Sequence, residues 1–402
     1  MLTWRNGIVI GAALLLLAGQ GVTSAGADDP LDREPSSGVE APQDMATPVV
    51  GDGLAVDAVS YAKTFGVPLE SARVRLQLQQ DLDAVSGELA RLAGNDLAGL
   101  HLVHEPDVSL VVRVVDAVPP ELAQKVASSD LPITVEVTHQ QPLSELITVV
   151  EKTPWTELDD RVQGVYADER SGTIVVHLLG NDRDAAAFEA RAESASSLSG
   201  VPVQVETVDT PGGDANRGGR NLTSCTSSFT VSDAAWTQGM LTAGHCSNAQ
   251  SYYCFSGNGP FAMTFVSEVR SATADLQWHT TTAQAIEPLF HADSTTTARP
   301  QQGVGVGAVG QYVCRRGKTS GYACTTVESI TYRPVCDGAC PGTTCAAVFS
   351  LTSGAAVAAG DSGGPWFIGN VSHGTTKGYV GSKSIYTRVW YLNTLGLSLL
   401  QG

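Results

Sequence analysis

All eight cysteines of this chain fall between Cys225 and Cys345, and residues 28–224 contain none. That distribution divides what the chain can fold into. The second half can be stapled by disulfides, the ordinary use of an even number of cysteines in an exported protein. The first half must hold together by burial and hydrogen bonding alone. Charge divides at the same place: residues 28–215 carry a net −21 and residues 216–402 a net +3. Such a contrast reads as an acidic tail or as two parts that attract one another. No basic cluster is interleaved with aromatic residues, so nucleic acid is not an expected partner.

Export is legible in the first segment, MLTWRNGIVIGAALLLLAGQGVTSAGADD. Arg5 precedes an apolar run at 8–18 that is too short to span a bilayer. Ala25, Gly26 and Ala27 then form a small-residue cleavage pattern. Residues 1–27 therefore read as a secretory signal peptide rather than a membrane anchor. No later stretch is long and apolar enough for a transmembrane helix, so a secreted, extracellular protein without a membrane partner is expected.

Residues 28–52 are rich in Pro, Asp, Gly and Ser and read as a disordered lead-in. From 56 to 92 the apolar period is helical, broken at Gly66 and Pro68. VSLVVRVV at 108–115 reads as a strand. A series follows: strand 133–139, helix 142–152, a hairpin turning at 168–172, helix 183–198 and strand 201–208. That βαββαβ order describes a small α+β module. DTPGGDANRGGRN at 209–221 is a linker by composition. Beyond it, short alternating runs and frequent turns replace helical periodicity, which predicts an all-β sandwich or pair of barrels.

Within that half, GDSGGP at 360–365 surrounds one hydroxyl, that of Ser362, with very little side chain. A tight turn would use the same residue types, so the decision rests on the company Ser362 keeps. LTAGHC places His245 and Cys246 upstream, and ADLQWH places Asp275 between them and the serine. His, Asp, Ser is one of the chain orders of a serine triad. A serine hydroxyl needs a base, histidine suits that role near neutral pH, and the base needs a carboxylate to hold its tautomer. Asp233 and Asp293 are the alternatives for that carboxylate. Gly360 to Gly364 also satisfies the G-x-S-x-G elbow of α/β-hydrolases, but no Asp or Glu follows Ser362, and the helices a parallel sheet requires are missing.

LTAGHC, ADLQWH, VCRRGKTSGYACTTV and GDSGGPW together resemble the bacterial chymotrypsin-type serine proteases of the streptogrisin and alpha-lytic group. The resemblance covers nearly all of 217–402. YAKTFGVPLESARVRLQLQ and LAGLHLVHEPDVSLVVRV extend it to that group's prosegments. It implies an all-β double barrel, chymotrypsin-like, preceded by an α+β propeptide: residues 1–27 signal peptide, 28–215 propeptide acting as folding assistant and inhibitor, 216–402 protease. His245 and Asp275 would come from the first barrel and Ser362 from the second. Ser362 would be the nucleophile, His245 the general base and acid, and Asp275 its orienting partner. The Gly360 and Ser362 amides would form the oxyanion hole. Cys225 would pair with Cys246, and Cys314 with Cys324. Asp361 would pair with an internal arginine, Arg315 of CRRG, because GGDANRGGR offers no apolar pair to become an inserted N-terminus.

The sequence departs from the group in lacking a cysteine shortly before GDSGG. Cys254, Cys336, Cys340 and Cys345 remain with their pairing open. The crowding of Cys336, Cys340 and Cys345 would suit zinc, but their spacing lacks a second CxxC-type pair and exported thiols oxidise. No metal or other cofactor is expected. Polypeptide substrates and the chain's own propeptide are the expected partners of a monomer. Ala356, six before the nucleophile, would lie at the base of the primary pocket and carries no charge for Lys or Arg. His279, His291 and His373 read as structural or exposed, and Asn221 and Asn370 as glycosylation patterns that a bacterial source would leave idle. An inactive binding module and a serine esterase on the same fold are the competing functions.

Overall fold

Gly66 and Pro68 interrupt the first helical stretch, and the break falls where they predict it, between α1 (Gly53–Phe65) and α2 (Leu69–Ala93). The computed structural model describes residues 49–50, 53–180, 185–189, 191–192, 201–208, 213–214, 222–253, 260–282, 285–292, 297–335 and 345–402. The segment read as a signal peptide, nearly all of the lead-in, the linker apart from 213–214, and Asn221, Cys254, Asp293, Cys336 and Cys340 lie outside the described residues. Residues 46–402 form one compact unit.

The buried stripe of α2 comprises Ala72, Leu76, Gln79, Leu82, Asp83, Ser86 and Leu89, each three or four residues from another member. Two polar members of it, Gln79 and Asp83, are explained by what they face. Gln79 bonds both the amide and the carbonyl of Tyr312 (2.7 and 3.0 Å), and Asp83 accepts the amides of Val306 and Gly307 (2.9 and 3.0 Å). Ala58, Tyr61, Ala72 and Leu76 share one core with Tyr312, Val313, Trp366 and Phe367. The two halves of the chain thus bury apolar surface against each other.

After α2 come β1 (Leu97–Val103), β2 (Ser109–Val115), α3 (Pro120–Ala127) and β3 (Ile133–Thr138), then α4 (Leu143–Lys152), β4 (Val162–Asp168), β5 (Thr173–Leu179) and β6 (Val203–Val208). The expected βαββαβ order is present, with residues 185–189 and 191–192 helical, but its strands do not share one sheet. The crossover through α3 lays β3 parallel to β2 in the sheet β1-β2-β3, as a helical connection requires. The strands β4, β5 and β6 lie in a different sheet, one that continues into the downstream half, because β4 pairs with it through Arg333↔Val165 and Pro334↔Gly164.

The downstream strands are β7 (Thr230–Ser232), β8 (Gln238–Thr242), β9 (Gln250–Tyr252), β10 (Phe261–Arg270), β11 (Asp275–Thr280), β12 (Tyr312–Gly317), β13 (Gly321–Pro334), β14 (Phe349–Ala355), β15 (Pro365–Ile368), β16 (Val371–Val380), β17 (Lys383–Arg388) and β18 (Ser398–Leu399). A six-stranded sheet runs β9-β10-β11-β8-β7-β18. The series β12-β15-β16-β17-β14-β13 closes on itself through the β12–β13 pair, making a barrel. Val231, Leu241, Leu276 and Trp278 fill the first sheet's core, and Tyr332, Phe349, Leu351 and Ile385 part of the barrel's. This is a chymotrypsin-like β fold behind an α+β region. Among the described residues no helix is long and apolar enough to cross a membrane.

Candidate active site

Three local devices bring His245, Asp275 and Ser362 together. Strands β8 and β11 are neighbours, with Thr242 opposite Gln277, so the turn after β8 returns His245 to the start of β11, where Asp275 stands. Gln277 clamps that turn by donating to the carbonyls of Ala243 (2.7 Å) and Cys246 (3.0 Å), and the Cys225–Cys246 disulfide ties it to the preceding segment. The Ser362 loop is strapped from both sides. Thr226 donates its amide to the Ser362 carbonyl (2.8 Å) and its hydroxyl to the Gly360 carbonyl (2.8 Å), while Gly363 donates to Thr376 of β16 (2.9 Å).

The His245 amide donates to Asp275 Oδ1 at 2.8 Å, and its Nδ1 lies 2.6 Å from Oδ2. On the other side Nε2 lies 2.9 Å from Ser362 Oγ. With the proton on Nδ1, Nε2 presents a lone pair to the hydroxyl, which is the arrangement a general base needs. Burial alone would raise the Asp275 carboxyl. The His245 imidazole and the Lys377 ammonium, with the hydrogen bonds from His245, overcome it and hold the group below the usual carboxylate range. Asp233, the described alternative, instead caps its own turn through the amides of Ala235 and Thr237.

The small residues of GDSGGP have separate reasons. Gly360 has φ +106°, a conformation that favours glycine. Gly363 has φ +84°, and a Cβ there would run into the Thr242 hydroxyl and the Thr226 carbonyl. Close packing behind the serine therefore accounts for a glycine that the expected oxyanion geometry did not.

Arg315 and Asp361 are both buried, but they do not form the expected ion pair. Asp361 accepts the amides of Thr319 (2.8 Å), Ser320 (3.1 Å) and Ala358 (2.9 Å) and the Ser320 hydroxyl. Those donors satisfy both oxygens and leave no geometry for a guanidinium. Arg315 instead donates to the carbonyls of Ala355 (3.0 Å), Gly321 (3.0 Å) and Ala356 (2.6 Å). Burial draws its pKa down, and the Asp361 charge acts on it only through space. Ala356 is exposed, directly after Ala355, which has φ +56°.

Both disulfides implied by the resemblance are present, Cys225–Cys246 and Cys314–Cys324. Cys345 is disulfide-bonded too, which removes it from the zinc alternative. His279 and His373 are buried, and burial pushes them down to about 4 and about 3, so they sit neutral in the fold. His177, Glu206 and Glu328 converge as metal ligands might, but the Lys383 ammonium occupies their centre, 2.7 Å from Glu206 and 2.6 Å from Glu328. One residue of the site escaped the sequence reading: Lys377, whose Nζ lies 3.6 Å from Asp275 Oδ2. Nothing in GTTKGYV marks a lysine for burial.

Fold and site together define a chymotrypsin-like serine endopeptidase. Streptogrisin-C of Streptomyces griseus is similar to it, 26% identical over 415 residues that span 94% of this chain and 79% of that protein. No family model matches the chain. Among solved structures, the Nocardiopsis protease NAPase is 25% identical, covering 46% of this chain and 97% of its own with a TM-score of 0.37. Thermobifida fusca protease A is 26% identical, covering 46% and 98%, with a TM-score of 0.38.

Proposed function

We propose that the chain is a secreted proenzyme: residues 1–27 a signal peptide, 28–215 a propeptide and 216–402 a monomeric protease that hydrolyses polypeptides. The carrying observation is the unbroken contact from Asp275 through His245 to Ser362. Ser362 Oγ attacks the scissile carbonyl as its proton passes to His245 Nε2, and Asp275 stabilises the imidazolium. His245 then returns that proton to the leaving amine, and water, deprotonated by His245, releases the acid from Ser362. The Gly360 and Ser362 amides receive the oxyanion, each such donor being worth about 3–4 kcal/mol.

Burial supports the proenzyme reading. Ser362 is 0% exposed in the full chain and the His245 side chain 3%, so a substrate needs something to move. Residues 213–214 pair antiparallel with Gly378 and Tyr379 on β16, two residues beyond the Thr376 clamp. That edge is where an extended peptide would add as a strand, and in the full chain it is taken. Ala356 supports a preference for apolar or medium uncharged side chains before the scissile bond.

Treating the processed enzyme with a serine-phosphonylating reagent should label Ser362 stoichiometrically and stop peptide hydrolysis, with no labelling of Ser362→Ala. Labelling elsewhere, or turnover by Ser362→Ala, would reject the assignment. On a mixed peptide library, cleavage dominated by Arg, Lys or Glu would reject the specificity.

A further inference from the structure

Lysine is almost never fully buried without a partner, because its ammonium is strongly hydrated. Lys377 is 3% exposed. It follows Thr376, the residue that clamps the Ser362 loop, and lies where the β16–β17 register shifts between Thr376 and Gly378. The side chain passes into the protein with Nζ 5.7 Å from the Phe349 ring centre and 3.6 Å from Asp275 Oδ2. That oxygen also faces His245 Nδ1 at 2.6 Å. The ammonium therefore stands within about 6 Å of the imidazole, among side chains only 2–3% exposed, where charges interact strongly.

We propose that Lys377 is a positioning residue of the catalytic site: its buried ammonium holds Asp275 ionised and in place and keeps His245 neutral, hence basic, to lower pH than the Asp–His couple would alone. The inference rests on the triad reading given above. Electrostatics sets its sign. A fixed positive charge next to the couple opposes a second one on the imidazole, so protonating His245 takes more acid. The other titratable groups on the packed elements are the same in every variant compared and leave that sign unchanged: Glu268 of β10 stands opposite Gln277, and burial keeps His279 of β11 and His373 of β16 neutral. Arg270 of β10 stands opposite Asp275, and Arg388 of β17 opposite Gly374. Tyr386, opposite Thr376, is pushed up to about 12 by burial and remains neutral.

The test is the pH dependence of kcat/KM for peptide hydrolysis by the processed enzyme, in Lys377→Met, Lys377→Gln and Lys377→Arg. Met matches the stem and removes the charge. Gln removes the charge but can still donate to Asp275, so it serves if Met fails to fold. Both should move the acid limb to higher pH by about one to two units, the size of a unit charge at this range in a partly screened interior. Lys377→Arg should leave the limb within a few tenths of a unit of the parent. An unmoved limb in an active Met or Gln variant overturns the proposal. So does a loss of thermal stability or of kcat that is the same at every pH, since a structural lysine would do only that. Ser362→Ala is measured alongside: if it keeps turnover, the triad reading fails, whatever the Lys377 variants do.

Discussion

Four donors converge on Asp361, and none is a guanidinium. The arginine beside the nucleophile loop therefore has a different task from the one the CRRG motif implies. Hydrogen bonds to a charged group contribute about 1.5–3 kcal/mol each, and Asp361→Asn replaces one of its acceptors by a donor. That variant should lose several degrees of thermal stability and at least tenfold in kcat/KM. Arg315→Met should behave otherwise, because its three bonds go to the carbonyls of Ala355, Ala356 and Gly321, around the position expected at the base of the primary pocket. KM and side-chain preference should change more than kcat, as read from kinetics on two peptide series. A collapse of kcat at unchanged KM would return Arg315 to the oxyanion loop. The meeting of His245, Asp275 and Ser362 was legible because its constraints are local: a glycine forced by φ or by contact, and a histidine fixed by the turn next to it. Partner choice for Asp361 was not, because backbone amides leave no trace in residue identity.

Elements were legible wherever period and punctuation agreed, as at α1 and α2 or in the strand from Asp275. They were missed where polar residues and glycine hide burial. Strand β16, VSHGTTKGYV, is buried almost throughout yet shows no alternation, so both it and Lys377 escaped notice. The division of one expected module into two sheets also went unread, since α3 and β1 were not foreseen. Glu169 joins those sheets: it stands in the turn after β4, its carboxylate accepts the Leu100 amide of β1, and its carbonyl accepts Arg113 Nη1. Burial pushes its carboxyl up to about 7, against 4.5 for an unperturbed glutamate. The folded state therefore holds a proton that the unfolded chain has already released. The stability this confers is complete below 4.5 and is lost as pH rises through about 7, a swing of about 3 kcal/mol. Glu169→Gln should resist denaturant better than the parent at pH 8 and about equally at pH 4. His101, pushed down to about 4 by burial, contributes the opposite slope in both proteins and drops out of the comparison.

At the scale of the whole molecule, the charge contrast between the halves becomes specific pairs. Acid from the first half meets base from the second at Asp57–Arg299 and at Glu206–Lys383. The first pair is wholly buried: Asp57 accepts Arg299 Nη1 at 3.0 Å, the Tyr322 hydroxyl at 2.6 Å and the Gly369 amide at 2.7 Å, with the guanidinium 5.0 Å from the Phe367 ring centre. Burial raises the Asp57 carboxyl, and Arg299, Tyr322 and Gly369 oppose it. Around the pair, the core shared by α1, α2 and the barrel covers apolar surface that residues 216–402 alone would leave in water. A barrel of non-local strand pairs folds slowly, and helices that cover its face can hold it while distant strands find their partners. Expressed alone under oxidising conditions, residues 216–402 should give little active enzyme, and residues 28–215 added in trans should raise the yield. Equal yields would leave the first half no folding role. Breaking a buried ion pair on one side costs about 3–5 kcal/mol, roughly two to three and a half powers of ten in affinity. If residues 28–215 inhibit the mature enzyme as proposed for a propeptide, Asp57→Asn in the added segment should therefore weaken that inhibition by that factor. Glu206→Gln, at a pair that keeps solvent contact, should weaken it far less. Equal losses from the two variants would mean that net charge, rather than the buried Asp57 contact, holds the halves together.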